Sequence, residues 1–143
     1  MFESNLIIFI KLERGCENMV DVKSYTRMGK TKQLAEQTFE SSSSRTPQYL
    51  AFHRTFKREF TNMMQPYCDE ILVHKPNHFD VSGFFKLKSG AIWYFSVGDM
   101  RWDKSLLYRT AKDFKDYTGG SNNQVDLDRI SDLPSLVRAE VVN

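Results

Sequence analysis

The sequence predicts an α+β fold: a long helix packed on an antiparallel meander of three to four strands, with a second helix after the hairpin. Three observations carry this expectation. Thr46-Pro47 opens a segment whose apolar residues recur at helical spacing, short aromatic and β-branched segments follow it, and Ser89-Gly90 alone separates two of those segments. With 143 residues the chain suits one small domain and leaves no room for two well-cored ones. Eleven Phe, six Tyr and two Trp can fill its core. Mean hydropathy is negative, and no apolar run approaches the roughly 18 residues of a membrane span. A soluble protein with no membrane partner is expected.

Residues 1–46 read as an N-terminal arm and linker, and 47–143 as the globular domain. The apolar run Leu6–Ile10 is too short and wrongly flanked for a signal peptide and suits an edge strand. Glu13-Arg14-Gly15, shortly before Met19, is what a purine-rich bacterial ribosome-binding site becomes when translated. On that reading residues 1–18 are a non-native upstream extension, Met19 is the natural start, and the source is a bacterium, phage or mobile element. Gly29 and the run Ser41–Ser44 interrupt any helix over Thr31–Phe39, so residues 19–46 are expected to form a mobile basic arm. Gly29-Lys30-Thr31 ends like a phosphate-binding loop, but Ser24 stands where that loop needs glycine, which argues against nucleotide binding.

Thr46 can cap free amides, and Pro47 suits the first helical position, where its missing N–H would have no partner. The helix should run to about Gln65, before Pro66. Tyr49, Phe52, Phe56, Phe60, Met63 and Met64 form its apolar face, with His53 in the same arc and Glu59 at its edge. Arg54, Lys57 and Arg58 face away. Residues 70–74, 79–88 and 91–98 read as strands, with Ser89-Gly90 as a two-residue hairpin turn. Ser105 reads as the cap of a second helix carrying Leu107, Ala111 and Phe114 and ended by Gly119-Gly120. A short strand near Gln124–Leu127 and a final helix after Asp132-Leu133-Pro134 complete the order.

The net charge is only +2, but residues 19–65 carry eight basic side chains against four acidic ones. That cluster suggests phosphate contacts. The candidate nucleic-acid-binding residues are Lys23, Arg27, Lys30 and Lys32 of the arm, Arg54, Lys57 and Arg58 of the helix, and Lys86 and Lys88 of the hairpin. A two-residue turn sets Lys86 opposite Trp93, a basic and aromatic strand face suited to a single strand. The expected partner is nucleic acid or a nucleoprotein. A protein that inhibits a host defence protein is a further possibility, because inhibitor surfaces need no fixed residue pattern. Cys16 and Cys68, far apart in a sequence with no secretory signal, favour free thiols and the cytoplasm.

The same turn places Asp80 opposite Asp99 and His78 opposite Arg101, so two carboxylates would need a cation between them. Mg²⁺ is held by such pairs, and Arg101 is an alternative source of that charge without any metal. The order of Glu59 on a helix, then Asp80 and Asp99-Met100-Arg101 on adjacent strands, resembles the core of nucleases of the PD-(D/E)xK type over residues 47 to about 118. The resemblance implies catalysis by Glu59, Asp80 and Asp99, with Asp80 and Asp99 holding Mg²⁺ or Mn²⁺. It also implies a lysine two residues after the second acid, where Arg101 stands, and a proline before the first acid, where Phe79 stands. Arg does not deprotonate, so Arg101 suits phosphate binding better than activation of water. Cys68, His74 and His78 match no common zinc-finger spacing.

Overall fold

The computed structural model describes residues 28–37 and 46–142. The expectations for Leu6–Ile10, Met19, Lys23, Arg27 and the Ser41–Ser44 run lie outside the described residues. The element order is α1 (Gly29–Glu36), α2 (Pro47–Met64), a 3₁₀ turn (Gln65–Tyr67), β1 (Cys68–Val73), β2 (Val81–Leu87), β3 (Ile92–Val97), β4 (Ser105–Ala111), β5 (Asn123–Asp126), a second 3₁₀ segment (Leu127–Asp132) and α3 (Leu133–Val142). The strands form one antiparallel sheet in the order β1-β2-β3-β4-β5. The α+β class is therefore as the sequence predicts, with five strands rather than three or four. No described helix is long and apolar enough to cross a membrane.

Thr46 caps α2 as its sequence implies: its Oγ1 accepts from the Tyr49 N–H at 3.2 Å, and Pro47 follows. Phe52, Phe56, Phe60, Met63 and Met64 are fully buried against one face of the sheet. Phe60 lies 4.6 Å from Phe95, 5.0 Å from Phe56 and 6.1 Å from Phe85, measured between ring centroids. These separations suit offset and tilted aromatic contacts, each adding about 0.5–1.5 kcal/mol beyond area burial. Ile130, Leu133 and Val137 close the same core from the C-terminal side. On the opposite face, Phe114 stacks on Phe84 at 5.5 Å, and Tyr117 packs edge-on against Phe84 and Tyr94.

Three expectations are corrected. Residues 105–111 form β4 rather than a helix. The spacing of Leu107, Ala111 and Phe114 is helical, but the open edge of β3 presents backbone groups that need partners. Leu106 and Tyr108 alternate with Leu107 and Arg109 to satisfy both faces, and Phe114 belongs to the loop that covers the sheet.

The hairpin turn contains three residues rather than two. Leu87 N–H donates to Ala91 O and Gly90 N–H to Leu87 O, both at 2.8 Å, and Gly90 sits at φ 100°. A three-residue loop with glycine in the left-handed region forms a bulge that moves one strand by a residue. Lys86 therefore pairs with Ile92 and Phe84 with Tyr94, whereas Trp93 pairs with Phe85 and is 1% exposed on the core face. Lys86 has Glu70 as its other neighbour, so the basic and aromatic strand face does not form.

Residues 28–37 are docked rather than a free arm. Met28, Thr31 and Ala35 are buried, and Glu59 of α2 binds the start of α1. Lys30 and Lys32 thus belong to the globular body.

Candidate nucleic-acid interface

Helix α2 turns its aromatic arc inward, which leaves Arg54, Lys57 and Arg58 exposed on its other side. Beside them, α2 and the chain leaving β1 enclose a groove of about 260 Å³. Its walls include Leu50, His53, Arg54 and Lys57 from α2, and His74 and Lys75 from the connection after β1. Among the described residues, no carboxylate lines it. No ion pair is formed by Arg54, Lys57, Arg58 or Lys75 among the described residues. Lys75, absent from the sequence-based candidates, joins the two helix cations only because β1 runs alongside α2.

The groove is held by a polar bridge between helix and sheet. His53 donates from Nε2 to the His74 carbonyl at 3.0 Å, and His74 Nδ1 lies 3.0 Å from Ser82 Oγ. Burial lowers the His74 pKa below its ordinary value of 6.5. The unfolded chain therefore binds more protons than the folded one as pH falls through that value. Stability held above pH 6.5 is lost toward the folded pKa. His74 is only partly buried, so the effect is modest. The Tm is expected to fall slightly between about pH 7.5 and about pH 5.5, and His74→Gln to flatten that profile. An equally steep profile in the variant would assign the dependence to other groups.

The remaining basic candidates lie elsewhere. Lys32 lines a separate cavity of about 360 Å³ together with Lys104 and with Glu36, Asp103, Asp126 and Asp128, which offset its charge. Lys30 sits next to Glu59, with its backbone N–H 3.3 Å from Oε2. Lys88 is exposed in the hairpin loop and Lys86 half-buried on the sheet. Arg109, on β4, is engaged within the fold: its guanidinium lies over Tyr94 at 4.6 Å and donates to Asn122 and the Tyr117 carbonyl.

Of the four residues of the nuclease-like pattern, Asp99 and Arg101 meet, but Glu59, Asp80 and Asp99 form no common cluster among the described residues. Glu59 Oε1 accepts from Thr31 N–H at 2.8 Å and Thr31 Oγ1 at 2.7 Å, serving the positive end of α1. With the bulged turn, Asp80 lies against Gly98, whose carbonyl accepts the Asp80 N–H at 3.0 Å, and not against Asp99. Asp80 is 1% exposed and its Oδ2 accepts from Met100 N–H at 2.7 Å. Asp99 points outward into a two-pronged pair with Arg101, at 3.0 and 2.7 Å, which holds its carboxyl below the usual range. Extended outward, the register of β2 and β3 no longer sets His78 opposite Arg101. No group of three or more His, Cys, Asp or Glu able to hold a metal ion occurs among the described residues. This donor set does not fit Mg²⁺ or Mn²⁺. Burial also pushes the Cys68 thiol up to about 12, which leaves almost no thiolate at neutral pH for nucleophilic chemistry or metal binding.

The fold and groove define a small helix-on-meander domain with an uncompensated cationic cleft. Comparison with protein-family models, with curated proteins and with solved structures finds no match.

Proposed function

We propose that this protein binds nucleic acid or a nucleoprotein through phosphate contacts made by α2 and the adjacent groove. The observation that carries the reading is the convergence of Arg54, Lys57 and Lys75 on one cleft with no carboxylate among its described lining residues. These side chains are exposed, and a phosphate backbone matches such an unpaired set and releases counterions on binding. Arg58 extends the charge along the same helix. The free thiol of Cys68 fits a reducing cytoplasm, the setting we assign to this activity in a bacterial or phage context.

The test is affinity for nucleic acid as a function of salt. Raising salt from about 50 to about 200 mM is expected to weaken binding steeply. Each phosphate-contacting cation replaced by alanine, in Arg54→Ala, Lys57→Ala and Lys75→Ala, should reduce the slope of log affinity against log salt by about one. Arg54 and Lys57 are exposed, so their variants should keep the parent's unfolding midpoint within the range of ordinary surface changes, about ±0.5 kcal/mol. Affinity that ignores both salt and the triple substitution overturns the reading.

A further inference from the structure

We infer that the nucleic acid is single-stranded and that Trp102 is a stacking platform for one of its bases, an inference that rests on the groove reading above. The two tryptophans have opposite environments: Trp93 is 1% exposed in the core, whereas Trp102 is 82% exposed. Tryptophan ordinarily buries most of its ring, so the environment of Trp102 calls for a role.

The loop that carries Trp102 is tightly built. Its base is pinned where Asp80 Oδ2 accepts the Met100 N–H, and the Met100 side chain is 2% exposed in the core. Asp99 then organises the turn: its Oδ1 accepts from Arg101 N–H, and its carbonyl accepts from the N–H groups of Trp102 and Asp103, all at 3.0 Å. The Arg101 guanidinium is clamped on Asp99, 6.0 Å from the indole centroid. A ring presented on a fixed loop loses little conformational freedom when it is covered, which raises affinity for whatever covers it.

The surroundings select the kind of partner. A protein hot spot works in a well-packed pocket that is fully desolvated by the contacts around it. Here the flanking Arg101, Asp103 and Lys104 are charged and exposed. An exposed flat ring among charged side chains suits a planar base, which needs only a π-face and leaves its sugar-phosphate edge in water. Paired bases hide those faces within the duplex stack and must be unstacked at a cost of a few kcal/mol before a ring can reach them, so an unpaired strand uses the platform more readily. The groove is also within reach. Lys75 and Asp80 belong to one connection between β1 and β2, and Asp80 holds the Trp102 loop. At no more than about 3.6 Å per residue, Trp102 lies within roughly 30 Å of Lys75. A separation below that bound is within reach of the short tracts, about 4–16 nucleotides, that single-strand binders cover.

The experiment uses the full chain, an oligothymidylate of about 12 nucleotides and a duplex of equal length, within that site-size range. Tryptophan emission and affinity are read together. The oligothymidylate is expected to bind more tightly than the duplex and to quench the emission of the parent protein. Trp102→Ala should abolish the quenching and weaken single-strand affinity about 5- to 150-fold, the range for loss of one stacked base. The salt slope should stay unchanged, because no phosphate contact is removed. Trp102→Phe should recover part of the affinity.

Unquenched binding, or unaltered affinity in Trp102→Ala, overturns the stacking role while leaving the groove reading intact. Equal affinity for duplex and single strand overturns the single-strand assignment alone. Failure of the parent protein to bind either probe overturns the groove reading along with it. Loss of a co-purifying protein in Trp102→Ala, with oligothymidylate affinity unchanged, reassigns the ring to a protein partner and overturns the inference.

Discussion

Gly83→Ala is expected to destabilise the domain by at least about 3 kcal/mol, lowering the Tm by about 12 °C or more. Gly83 lies in β2, opposite Val73 of β1 and Phe95 of β3. A Cβ at this position would stand 2.0 Å from the Leu72 carbonyl oxygen and 2.8 Å from Phe95 Cζ. The first contact is with backbone, so no rotamer change relieves it: β1 must move away from β2 or the strand must bend. The second contact displaces a ring that Phe56 and Phe60 hold from the helix side. Overpacking a core usually costs about 1–3 kcal/mol, and a clash with a neighbouring strand's backbone exceeds that range. Gly98→Ala is the control, because a Cβ there meets nothing within 4 Å. Its effect should stay within about ±0.5 kcal/mol. Thermal unfolding of the two variants side by side tests the claim, and equal midpoints would show that β1 and β2 do not approach as described.

The second large effect separates the two aspartates that the sequence pairs. Asp80→Ala is expected to cost about 2–4 kcal/mol in urea unfolding, because it leaves the Met100 N–H buried without its acceptor and opens a void at a 1% exposed site. Asp80→Asn keeps an oxygen acceptor and should recover part of that loss. Asp99→Ala removes an exposed ion pair with Arg101 and should cost no more than about 1 kcal/mol. Two carboxylates sharing a metal behave differently, since either substitution then abolishes cleavage with little change in stability. Unfolding curves with a metal-dependent cleavage assay on the same samples distinguish the cases. Cleavage lost in both variants at unchanged stability would restore the nuclease-like arrangement.

Both predictions turn on features with unequal traces in the sequence. The helix-start pair Thr46-Pro47 and the aromatic arc from Tyr49 to Met64 are local patterns, and they specify the start, end and buried face of α2. Gly90 is legible as a turn residue, but whether its loop holds two or three residues depends on which strand accepts the bulge. That one-residue difference moves Trp93 into the core and Asp80 away from Asp99. Residues 105–111 show how a local pattern misleads: apolar spacing compatible with a helix yields to the unpaired edge of β3.

The candidate site divides in the same way. Arg54, Lys57 and Arg58 follow from the amphipathic pattern of α2 alone. Lys75 carries no signal, because a single lysine before Pro76 acquires meaning only when β1 packs beside the helix. Glu59 was legible as an edge residue, but its engagement with Thr31, 28 residues earlier, depends on α1 docking on α2. The exposure of Trp102 likewise follows from the Asp80–Met100 anchor across two connections. By itself, then, the sequence determined the α+β class, the long helix with its buried and basic faces, and the positions of most strands, because capping, periodicity and turn chemistry act within a few residues. Strand register, the strand over Ser105–Ala111 and the assembly of the groove were decided by tertiary structure, because backbone pairing and close packing join residues whose spacing along the chain carries no record of the contact.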